Sequence, residues 1–149
     1  MLTERQKRLF REIPKAENHI HIEGSIPWGL ALQLAERNHV KLPYTTEEEM
    51  GKWAAKMIAD DGLNGFMLCD RTFNSVCLHE QDYEDVVLAL AKNDAEQNII
   101  YQELHLDYPL NEERGIGYGR IPKRPKESQR IIRCRNCLYW RYRPDAFKR

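Results

Sequence analysis

No run of apolar residues in this 149-residue chain approaches the roughly 18–20 that a bilayer-spanning helix needs. The first residues, MLTERQKRLFREIPK, carry Glu4 and Glu12, unlike a secretory leader or an acid-poor transit peptide. Cysteine is sparse, four residues in all, which argues against a disulfide framework and for a reducing, cytoplasmic setting. Internal repeats and low-complexity tracts are lacking in the first two thirds. What remains is a chain 42% hydrophobic and 31% charged, long enough for one domain with a core and too short for two.

The zero net charge conceals two unlike segments. Residues 1–113 hold 11 Lys/Arg against 21 Asp/Glu, a balance of −10. Residues 114–149 hold 12 Lys/Arg, nine of them Arg, against Glu127 and Asp145, a balance of +10. The two segments need separate explanations.

Segment 1–113 alternates between the helical period and the strand period. Thr3 is placed to cap a short helix carrying Leu9 and Phe10 that Pro14 ends. Residues 16–22, AENHIHI, suit a short strand. Gly24-Ser25 turns the chain, with Ser25 as the expected cap and Pro27 in the first turn of a helix through Leu30, Leu32, Leu34 and Ala35. Thr45-Thr46 followed by Glu48-Glu49 forms a capping-box pattern before Met50, Trp53, Ala54, Met57 and Ile58, one apolar stripe. Asp61-Gly62 breaks that helix. Leu63, Phe66, Met67, Phe73, Val76 and Cys77 mark the next, and Asp82 is the expected cap of a further helix bearing Tyr83, Val86, Val87, Leu90 and Ala91. Residues 99–106, IIYQELHL, return to a period of two. A strand, several helices and a strand predict an α/β fold with parallel strands.

Chemistry concentrates on the first predicted strand. Side chains at i and i+2 of a strand share a face, so His19 and His21 are expected on one side and Ile20 and Ile22 on the other. Two imidazoles so placed can share one divalent ion such as zinc. Glu23 and Gly24 follow at the carboxyl end of the strand, where parallel α/β folds gather active-site groups. Of the remaining histidines, His39 and His79 read as solvated. Cys69 and Cys77 read as buried thiols, and Met57, Phe66, Met67 and Phe73 as core.

The run Pro14-Lys15-Ala16-Glu17-Asn18-His19-Ile20-His21-Ile22-Glu23-Gly24-Ser25 resembles the opening motif of the adenosine/adenine deaminase family. The resemblance continues through Leu30–Asn38, through Leu63 and Phe66, and through Tyr101, Glu103, Leu104, Tyr108 and Pro109, which look like that family's second barrel strand. It covers residues 8–113. It implies the N-terminal part of a (β/α)8 TIM barrel, incomplete and followed by an irregular basic tail. It also implies hydrolytic deamination of a small purine, adenosine or adenine, to inosine or hypoxanthine plus ammonia. On this resemblance His19 and His21 are ligands of a zinc ion that polarises water for attack at C6. His21 and Glu23 contact the substrate, and the Leu63–Phe66–Met67 region supplies an apolar wall over the purine. Two residues depart from the pattern. Asn18 replaces a leucine, and His105 stands where an arginine is usual; His105 reads as an interior partner of Glu103 rather than as a third ligand.

The catalytic general acid and the remaining metal ligands of the family come from later strands, and their motifs do not follow Leu110. Two of eight barrel strands are accounted for, so the expectation is a truncated chain with little or no turnover, whose open strand edges could pair with another copy.

Three readings fit residues 114–149. Arginines interleaved with Tyr139, Trp140 and Tyr142 suit a nucleic-acid-binding arm, the alternative to the deaminase reading. Cys134 and Cys137 are spaced as half of a zinc site but lack a second pair or a nearby histidine. Translation in a shifted frame near Gly115 also produces Arg-rich, patternless sequence, and the abrupt charge reversal favours it. A cytidine-type deaminase is excluded, because more than 100 residues separate His21-Ile22-Glu23 from Cys134 and Arg133, not proline, precedes that cysteine.

Overall fold

The computed structural model describes residues 2–106, Gly115, and the strands at 130–134 and 137–141. The expectations for Tyr108 and Pro109, and for most of the basic segment, lie outside the described residues. Four helices, one 3-10 turn and four strands are described.

Helix α1 (Glu4–Glu12) is capped by Thr3, whose hydroxyl accepts from the Gln6 amide while the Gln6 side chain accepts from the Thr3 amide. Lys15 closes its other end by donating to the carbonyls of Phe10 and Ile13 at 2.7 and 3.0 Å. Strand β1 (Lys15–His21) follows, then a 3-10 turn over Glu23–Ser25 and helix α2 (Trp28–Arg37). Ser25 does not cap α2. Pro27 takes that position, and the Ser25 hydroxyl instead donates to the His21 carbonyl at 2.7 Å, because the 3-10 turn folds it back over the end of β1.

Helix α3 (Glu47–Asn74) begins at Thr46, which accepts from the Glu49 amide. It kinks at Gly62 (φ 53°, ψ −120°), so it is two helices in succession, as the Asp61-Gly62 pair predicts. Its second half buries Gly65, Cys69 and Phe73, one stripe at a spacing of four. Phe66 and Met67 fall off that stripe and stay exposed, at 47% and 41%, so the expectation that they are core fails, while Phe73 is core and Met57 packs at its margin. Cys69 and Cys77 are buried thiols, and burial pushes the Cys69 thiol up.

Helix α4 (Glu80–Glu96) starts from His79. Asp82 is inside the helix rather than at its cap, since its carboxylate reaches back to accept from the amides of Leu78 and His79 at 2.8 and 2.7 Å. A carboxylate in the first turn satisfies amides that have no partner within the helix. Strand β2 (Ile99–His105) pairs with β1 in parallel, which is the predicted topology.

Two short strands, β3 (Arg130–Cys134) and β4 (Cys137–Arg141), lie in the basic segment, where sequence periodicity names no element. β4 pairs antiparallel with β2, and β3 with β4, giving one sheet of order β1-β2-β4-β3. The free side of β2, expected to stand open, is therefore occupied, and by an antiparallel strand rather than the parallel third strand of a barrel.

The core lies between β1–β2 and the helices: Ile22, Leu34, Met50, Val76, Val86 and Leu104 are each at most 2% exposed. On β2 and just beyond its end, Gln102, Leu104 and Leu106 are buried, whereas Tyr101, Glu103 and His105 are half-buried. The face that carries His105 is thus the one the helices leave uncovered. Among the described residues no helix is long and apolar enough to cross a membrane.

Candidate functional site

The end of β1 is irregular in a way that residue types do not reveal. Glu17 pairs with Gln102 and Ile20 with Leu104, so Asn18 and His19 together oppose Glu103 alone, a β-bulge. His19 carries the bulge in a left-handed conformation (φ 61°), uncommon for a residue with a side chain. Ile20 still packs against the core and Ile22 is fully buried, so the separation of histidines from isoleucines follows the sequence expectation.

The two imidazoles come together, with ring centroids 5.2 Å apart and planes tilted by 56°. Two imidazoles bound through nitrogen at about 2.0–2.1 Å in a tetrahedral shell have centroids about 5 Å apart. The pair therefore fits two corners of such a shell. It does not complete one: among the described residues, no group of three or more His, Cys, Asp or Glu is arranged to hold a metal ion.

His105 is the residue whose place the sequence does not show. It pairs in register with His21, stacks on His19 at 4.2 Å between centroids and lies 5.7 Å from His21. Glu103 accepts a hydrogen bond from the Tyr101 hydroxyl at 2.7 Å, so the sequence picture of a simple Glu103–His105 pair misses both the tyrosine and the histidine cluster. Burial, then the neighbouring His19 and His21, lower the proton affinity of His105, and Glu103 only partly offsets this. His105 is thus biased toward its neutral form, the form that ligates metals. The available signal was the register of two strands 78 residues apart, which no local pattern carries.

Glu23 is 1% exposed, at the first position of the 3-10 turn beyond the strand. The turn is held from both sides. The Ile22 amide donates to the His105 carbonyl at 2.9 Å, and on its other side a Cβ at Gly24 would sit 2.8 Å from the Asp70 carboxylate of α3, which would have to turn aside. His39 and His79 lie exposed and away from the cluster, as expected. The tight turn thus sets a buried carboxylate just beyond three clustered imidazoles.

Comparison with known proteins bears on this arrangement. The sequence signature of the family described as adenosine deaminase matches residues 14–124. An adenine deaminase of Acinetobacter baylyi is 34% identical over 96% of this chain and 45% of its own length, so that alignment takes in most of the basic segment too. An adenine deaminase of Paraburkholderia phytofirmans is 41% identical over 72% of this chain and 30% of its own length. The crystal structure of an adenine deaminase from Arthrobacter aurescens superposes with a TM-score of 0.60 at 31% identity, covering 70% of this chain and 31% of that one. Neither the fold nor these relatives supports the alternative of a nucleic-acid-binding protein. The chain spans less than half the length of the curated relatives it matches. With its signature covering residues 14–124 and 70% of its length superposing on a solved adenine deaminase, the chain belongs to the adenosine deaminase family.

Proposed function

We propose that this chain forms the first part of a zinc-dependent hydrolytic deaminase of a 6-aminopurine, with adenine as the substrate. The observation that carries the proposal is the convergence of His19 and His21 at the carboxyl end of β1 in a chain whose relatives are adenine deaminases. His19 and His21 would hold the metal through neutral imidazole nitrogens. A zinc ion there would lower the pKa of water and so supply a nucleophile at neutral pH. Glu23, buried just beyond, would accept a hydrogen bond from a ring N–H of the purine and orient it, with His21 on the same edge. Phe66 and Met67, exposed on α3, offer an apolar surface against which a purine face could lie.

Two of the ligands and the buried carboxylate are on this chain; a group that protonates the departing ammonia is not among the residues so placed. The purified, zinc-loaded chain is therefore expected to release little or no ammonia from adenine or adenosine. A chimaera of the Acinetobacter baylyi enzyme that carries residues 14–106 of this chain is expected to deaminate adenine and to lose both zinc and activity with His21→Ala. Turnover by the chain alone that His19→Ala abolishes would overturn the incomplete-site reading. A folded chimaera that binds zinc equally well after His19→Ala and His21→Ala would overturn the ligand assignment. Reading the DNA downstream of codon 115 in all three frames tests the origin of the basic segment.

A further inference from the structure

A groove of about 540 Å3 runs between α2 and α4, and none of the residues that wall it belongs to the histidine cluster or to the Glu23 turn. That volume is ordinary for a small-molecule site, roughly 300–1,000 Å3. Residues three and four apart share a helix face, so Leu30 and Leu34 on α2 and Leu88 and Ala89 on α4 give the groove apolar walls. One end is closed by Arg37, which donates to Asp85 at 2.7 Å and also to Asp82. Two carboxylates share that one cation, so this end repels an anion. About 10 Å further along each helix, seven residues at 1.5 Å each, the groove reaches Lys92. Neither Lys92 nor Gln33, which stands between the two ends, makes a hydrogen bond or an ion pair among the described residues.

We propose that this groove binds an adenine mononucleotide, with the base on the leucine-rich walls, its amino edge on Gln33 and its phosphate on Lys92. A glutamine amide sets a carbonyl beside an NH2, the pattern that meets the N6 amino group and N7 of adenine in a bidentate pair. An aliphatic ligand would leave that amide facing hydrocarbon, which costs it the hydrogen bonds it makes with water. Lys92 supplies the cation for a single phosphate, and the carboxylates around Arg37 keep that phosphate from the other end. The groove is complete within residues 30–92, so its occupation does not depend on the unfinished deaminase centre. It is also separate from the apolar surface of Phe66 and Met67 on α3, neither of which lines it.

Calorimetric titration of the full chain with adenosine 5′-monophosphate, in EDTA to keep metal from the histidines, tests this. The expected result is one equivalent bound, a raised Tm, and an affinity at least about tenfold above those of adenosine, ribose 5-phosphate and inorganic phosphate. Inosine 5′-monophosphate, which has a carbonyl at C6 in place of the amino group, should bind about tenfold more weakly. Lys92→Gln should erase the preference for the nucleotide over adenosine, and Gln33→Leu the preference for the amino over the oxo base. Both side chains are exposed, so the Tm without ligand should not move in either variant. His19→Ala should leave binding unchanged, which separates this site from the deaminase centre. Neither heat nor a Tm shift on adding the nucleotide, ribose 5-phosphate or phosphate bound as tightly, decanoate bound more tightly, an affinity indifferent to either groove substitution, or loss of binding with His19→Ala would each overturn the proposal.

Discussion

Asp82 joins three parts of the helical layer, and its removal should be among the most damaging single changes outside the site. One carboxylate oxygen accepts from Asn38 Nδ2 at 2.8 Å and from the amides of Leu78 and His79 at 2.8 and 2.7 Å. The other accepts from the Arg37 guanidinium. The carboxylate is 1% exposed while Arg37 is 43% exposed and keeps a second partner in Asp85, so solvent screens the ion pair and its share is small, about 0.5–1 kcal/mol. The three short bonds to a buried charged acceptor contribute about 1 kcal/mol each. Asp82→Ala should therefore cost about 3–4 kcal/mol. Asp82→Asn can keep an oxygen facing the three donors but turns an NH2 toward Arg37, and should cost about 1–2 kcal/mol. Burial pushes the Asp82 carboxyl up, but the hydrogen bonds from Arg37, the two amides and Asn38 outweigh it and hold it below the ordinary aspartate range. Because the folded value is depressed, this stabilisation is fully present above the unfolded value of about 3.9 and is lost as pH falls through the folded value. Urea denaturation at pH 7 reads the difference, with an unchanged m-value. The gap between the parent chain and Asp82→Asn should narrow below about pH 4. A cost under about 1 kcal/mol for Asp82→Ala, or a gap unaffected by acid, would refute the reasoning.

Two further substitutions check the packing of the helices. At Gly65 a Cβ would lie 2.0 Å from the Met57 carbonyl oxygen, so Gly65→Ala must spread the two halves of α3. The roughly 1 kcal/mol gained in helix propensity should be outweighed, for a net loss of about 2 kcal/mol seen as a lower Tm. Tyr83 and Asn74 are both fully buried, and the Tyr83 hydroxyl donates to Asn74 Oδ1 at 3.0 Å. Tyr83→Phe should cost about 1–2 kcal/mol in the same urea assay, with the far-ultraviolet circular dichroism of the helices unchanged.

The helices and the parallel pair were legible because each depends on signals a few residues long. Thr3 and Thr46 cap where a hydroxyl three residues before a glutamine or glutamate predicts it, and the alternation of residues 101–106 is the burial pattern of a strand between helices and an open face. The departures share one physical cause. Ser25 and Asp82 are residues that suit a cap, yet each satisfies a different backbone group once the neighbouring element is in place. Strands β3 and β4 are five residues each, too short for a period of two to stand out from chance.

The site divides along the same line. His19 and His21 could be paired from spacing alone because i and i+2 meet on any strand, and the bulge at Asn18–His19 changes the backbone that presents them without parting them. His105 could not be added to them, because that neighbour is set by which residue of one strand faces which residue of another. The deaminase pair is therefore a property of one strand. The placing of His105 beside that pair is a property of the register between strands, which only the assembled sheet reveals.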